Sequence, residues 1–79
     1  MAATKSVSVE TLRELVDAGS VRTLQAVRTG TRWALVARVG LDERVLRSQR
    51  EDVRLFARLD TIHRFTRELG VNRFEVVER

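Results

Sequence analysis

At 79 residues the chain is a single small domain, and with no cysteine it has neither a disulfide nor a thiolate metal site to supplement its core. Fifteen basic side chains against 11 acidic ones leave a net charge of +4, which favours encounter with polyanions but is modest beside the basic blocks of many nucleic-acid binders. No apolar run approaches the roughly 20 residues that span a bilayer, and residues 1–8 lack the apolar stretch of a secretory signal, so the chain is expected to be cytoplasmic.

Residues 1–7 are small and polar and are expected to form a flexible lead into one α+β domain over residues 8–79. Ser8 has the position of an N-cap, and Val7 and Leu12 have the spacing of a hydrophobic staple around it. Val9, Leu12, Leu15 and Val16 share one helical face, Glu10 meets the positive end of the dipole, and Gly19 is placed to end the turn. The spacing predicts a helix over about residues 9–18.

Two strand-like runs follow, Val21–Arg28 and Arg32–Val39, joined through Thr29-Gly30-Thr31. In the second run Trp33, Leu35, Ala37 and Val39 point one way and Arg32, Ala34, Val36 and Arg38 the other. That alternation predicts one face in a core and one partly wet. Gly40–Glu43 reads as a second hairpin loop and Arg44–Ser48 as a third strand. Val53–Ala57 is a short fourth strand or an extended lead-in to the next helix. There Asp60 is placed as an N-cap, Ile62, Phe65, Thr66 and Leu69 form one face, and Gly70 stops the turn with Val71 behind it. Arg73–Val77 is the last strand.

The order is therefore α-β-β-β-(β)-α-β. Short links favour an antiparallel sheet with two helices packed on one face. A domain of this size buries only about 60% of the surface its unfolded chain exposes, which makes a homodimer an expected source of extra stability.

The inventory for catalysis is thin. His63 is the single histidine, cysteine and tyrosine are missing, and the glycines stand alone at turns rather than in a phosphate-binding loop. A triad can be written from Ser48, His63 and Asp60, but nothing in their spacing brings them together. No enzyme, cofactor or metal site is expected.

The arginines are the more informative feature. Only Lys5 is lysine, and seven arginines fall between Arg44 and Arg67 against Glu51, Asp52 and Asp60. Arginine offers a flat fork of donors for phosphate or carboxylate, although GC-rich coding produces the same bias. Arg44, Arg47, Arg50, Arg54 and Arg58 are the candidate contacts to nucleic acid or a partner. If Val53, Leu55 and Ala57 face inward, Phe56 stands exposed between Arg54 and Arg58 and could stack a base. Burial is the commoner fate of phenylalanine, and Leu55 is then the exposed residue. Trp33 is expected in the core. The helices are separated by the strands, so no helix-turn-helix forms, and RRM and KH motifs are missing.

The runs Trp33–Gly40, Glu43–Arg47, Arg54–Thr61 and Glu68–Val76, in that order, resemble the ParC family of partition-associated proteins. The resemblance covers about residues 9–77. It implies an accessory role beside the DNA segregation machinery of plasmids and integrated elements of Gram-negative bacteria, and carries over no site residue. Two readings follow: a non-enzymatic adaptor that binds a partition protein or itself through a sheet edge or apolar face, and a direct DNA binder using Arg44–Arg58. A small enzyme is the third.

Overall fold

The computed structural model describes residues 5–78. Its elements are β1 (Lys5–Val7), α1 (Val9–Asp17), β2 (Val21–Thr29), β3 (Arg32–Val39), β4 (Asp42–Leu46), β5 (Leu55–Phe56), α2 (Leu59–Glu68) and β6 (Glu75–Val77). The α+β class and the succession of helices and strands from Ser8 onward are as the sequence predicts.

Local signals explain α1. Ser8 is extended (φ −77°, ψ 163°), and its Oγ accepts the Thr11 backbone N–H at 3.2 Å. At the other end Ser20 N–H donates to the Leu15 carbonyl at 2.9 Å and Gly19 N–H to that of Val16 at 3.0 Å, a Schellman closure. Replacing Ser8 by alanine should lower stability by about 1 kcal/mol. A shift of the urea midpoint without a change in slope would register it.

The start of α2 differs from expectation. Arg58, not Asp60, occupies the cap position, and its side chain makes no capping bond. Leu59 is drawn into the first turn because it packs against the core, so tertiary burial outweighs cap preference. Asp60 then sits in the first turn, still at the favourable end of the dipole, 3.6 Å from the Arg58 guanidinium. The helix ends as predicted. Gly70 has φ +89°, a region closed to most side chains, and Val71 N–H donates to the Thr66 carbonyl at 2.9 Å.

The sheet has the order β1-β4-β3-β2-β6, with β5 pairing β3 beyond the end of β4. β2, β3 and β4 form the expected antiparallel meander. The first hairpin turns through Gly30-Thr31, with Gly30 at φ +66° and Thr29 opposite Arg32. The second turns through Gly40-Leu41 alone, so β4 begins two residues earlier than its expected start at Arg44.

Both edges correct the expectation of a wholly antiparallel sheet. β1 runs parallel to β4, and β6 runs parallel to β2. Each partner pair is separated by long connections that include a helix, the arrangement that brings a chain back in the same direction. Lys5–Val7 were expected to be flexible, yet they pair with Arg44–Leu46. The part of that expectation covering residues 1–4 lies outside the described residues.

One face of the sheet meets both helices. Val7, Leu24, Ala26, Trp33, Leu35, Ala37, Leu46 and Phe56 pack with Leu12 of α1 and Ile62 of α2 in one cluster. A bulge helps fill it: Val21 opposes Val39 while Thr23 opposes Arg38. The extra residue, Arg22, lets both Val21 and Leu24 face inward. The Phe56 and Phe65 rings lie tilted, 5.8 Å between centroids. Thr66, the polar residue buried among them, donates its hydroxyl to the His63 carbonyl at 3.0 Å.

Candidate interaction surface

The five candidate arginines have different surroundings. Arg44 lies half-buried on β4, 4.0 Å from the Asp42 carboxylate, which Lys5 also meets at 3.4 Å. Arg47 is exposed after β4, and its backbone N–H donates to the Val7 carbonyl at 2.9 Å. Arg50 is exposed in a turn organised by Ser48, whose Oγ accepts from the Arg50 and Glu51 amides at 3.3 and 2.9 Å. Arg54 is half-buried, with its guanidinium 4.8 Å from the Phe56 ring centroid and 5.2 Å from that of Phe65. Arg58 is exposed beside Asp60.

Arg47 and Arg54 line a common depression at the start of α1, together with Ser48, Gln49 and the carboxylate-bearing Glu10. Arg44 belongs instead to the Lys5–Asp42 group and Arg58 to the start of α2. The stretch that reads as one basic run in sequence is thus divided on the surface.

Phe56 is 3% exposed, so the arrangement with a free ring between Arg54 and Arg58 does not form. Arg54 instead covers the outer side of the aromatic pair, a cation–π contact. Its truncation would disturb packing as well as charge. Trp33 is also buried, with the Arg28 guanidinium 5.2 Å from its ring.

His63 is exposed on α2, its ring 6.2 Å from that of Phe74. It shares an open depression with Asp60, Arg64, Arg67 and Glu68. Ser48 is engaged in its own turn. Among the described residues no group of three or more histidine, cysteine or acidic side chains is arranged to hold a metal ion.

The sequence reading missed how continuous the second face of the sheet is. Strand register sets two neighbouring rows across it. One runs Glu75, Gln25, Val36, Val45, Ser6, and the other runs Val77, Val27, Ala34, Leu55. Six of these side chains are apolar and form one patch. None of the six belongs to the helix-covered cluster or to the residues packed against it. Polar rows close both ends: Thr23, Arg38 and Glu43 at one, Thr29 and Arg32 at the other. Arg38 and Glu43 pair across the strands at 3.4 Å, and Gln25 donates to Glu75 at 3.0 Å. The rim therefore carries both signs of charge, whereas a surface made for phosphate would be basic throughout. The alternation in β3 was the available signal, but it takes the pairing of five strands to assemble the patch.

Comparison with known families matches residues 7–79 to the family described as ParC-like. The chain belongs to the ParC-like family. The match spans both helices and every strand after the first, so it concerns the whole α+β unit of this ParC-like chain and not one motif. No curated protein matches it. No helix among its described residues is long and apolar enough to cross a membrane.

Proposed function

We propose that this ParC-like chain is a non-enzymatic adaptor in the partition of plasmid or genomic-island DNA, and that it engages a partition protein through the open face of its sheet. Membership of the ParC-like family supports the setting. The observation that carries the contact is the apolar patch of Val27, Ala34, Leu55, Val36, Val45 and Val77, uncovered by either helix and rimmed by mixed charge. Leu55 is exposed, Val27, Val36, Val45 and Val77 are half-buried, and Ala34 lies low between them at 6% exposure. Partly exposed apolar surface of this kind suits a partner with an apolar face of its own. Direct DNA binding through Arg44–Arg58 is the weaker reading, because Arg44 and Arg58 lie beside carboxylates and Arg54 is stacked on two rings.

A paired substitution tests the proposal. Val36 and Val45 stand directly opposite each other. A Val36→Lys/Val45→Glu variant keeps a favourable cross-strand pair while erasing the centre of the patch. The tagged wild-type chain should capture a partition protein from nuclease-treated host lysate, and the folded double variant should lose it. Equal capture by the two chains, or capture abolished by nuclease, would contradict the proposal.

A further inference from the structure

β6 meets β2 only at Gln25–Val27. Ahead of that point the two chains part. Continued pairing in the same register would set Val71–Phe74 beside Val21–Leu24, but the chain over residues 71–74 is not strand. The gap between them is a cavity of about 420 Å³ that both segments line. Its apolar lining comes from Val16 at the end of α1, Val21 and Leu24 of β2, and Val71 and Phe74 of the returning chain. Arg22, the extra residue of the bulge, and Arg73 also line it, with one acid, Glu75, whose carboxylate accepts from Gln25. Neither arginine forms an ion pair among the described residues. Thr23 lines it as well, and its hydroxyl is buried without a hydrogen-bond partner among the described residues.

These features belong together. A strand whose edge is left open presents backbone N–H and C=O groups to an incoming chain. A cavity with apolar lining beside it takes a side chain, and the exposed arginines that line it take carboxylates. A volume of this order is that of an ordinary ligand pocket. We infer that the cleft between Val21–Leu24 and Val71–Glu75 binds an extended peptide segment of another protein, in which a large apolar residue is flanked by aspartate or glutamate. The apolar residue fills the cavity, the peptide backbone adds to the free edge of β2, and the acids meet Arg22 and Arg73. The site lies at the margin of the sheet beside the end of α1; it borders the open face at Thr23 and Glu75 but does not include Val27, Val36 or Val45.

Selection from a phage-displayed library of random peptides on the immobilised chain tests the inference. The enriched peptides should carry an apolar residue with acidic neighbours. Their fluorescein-labelled synthetic forms should bind the wild-type chain and shift the amide resonances of Arg22–Leu24 and Val71–Glu75. Arg22→Ala/Arg73→Ala should weaken binding about tenfold or more while leaving the circular dichroism unchanged. Arg47→Ala/Arg50→Ala, remote from the cleft, should bind as the wild type does. Enrichment of no peptide, peptides without acids, undiminished binding by the Arg22/Arg73 variant, or shifts centred on Val27, Val36 and Val45 would each overturn it. The last two leave the adaptor proposal standing, because that concerns the patch around Val27, Val36 and Val45.

Discussion

Replacing Phe56 by alanine should lower the melting temperature by about 12–40 °C. The ring is 3% exposed, lies against Phe65, and supports the Arg54 guanidinium. Truncating a buried phenylalanine costs about 3–5 kcal/mol, and in a domain of this size each kcal/mol corresponds to roughly 4–8 °C. A chain of 79 residues has only about 4–12 kcal/mol in total, so the variant will be close to unfolding at ambient temperature. Thermal unfolding followed by circular dichroism measures this. A shift under about 5 °C would instead put the ring at the surface, where truncation is nearly neutral.

The second large effect concerns the first strand. Val7→Asp should destabilise by about 3 kcal/mol or more, because it places a carboxylate among apolar side chains without a partner. Val7 is 3% exposed beside Leu46. Ser6→Asp, one residue earlier and on the opposite face, should change stability by no more than about 0.5 kcal/mol. Period-two sensitivity of this kind is the mark of a strand. Equal, small effects at both positions would mean that β1 does not contribute. Urea denaturation of the two variants separates these outcomes.

Much of the fold was legible because its signals are local. Ser8 caps α1, Gly19 and Gly70 close the helices, and Gly30 sets the first hairpin; each acts within a few residues of itself. The features that escaped depend on distant partners. Lys5-Ser6-Val7 is too short to show a period, and it becomes a strand only because β4 offers an edge. Asp60 has the chemistry of a cap, but burial of Leu59 starts the helix before it. The same distinction governs the surface. The arginines are conspicuous in sequence, yet Arg54 turns onto two aromatic rings and Arg44 and Arg58 lie beside acids. The apolar patch is inconspicuous in sequence because each strand contributes only one or two of its members.

A protein that works by phosphate contact loses affinity steeply as salt rises, and one that works by apolar contact barely responds. The decisive measurement is therefore the affinity of the chain for its captured partner between about 50 and 200 mM salt, read by fluorescence anisotropy. Binding through the open sheet face predicts a change of less than about tenfold, since buried apolar area is barely screened. A log–log slope near −4.5, or a loss of about 500-fold over that range, is what five arginines on phosphates would give, and it would contradict the adaptor proposal.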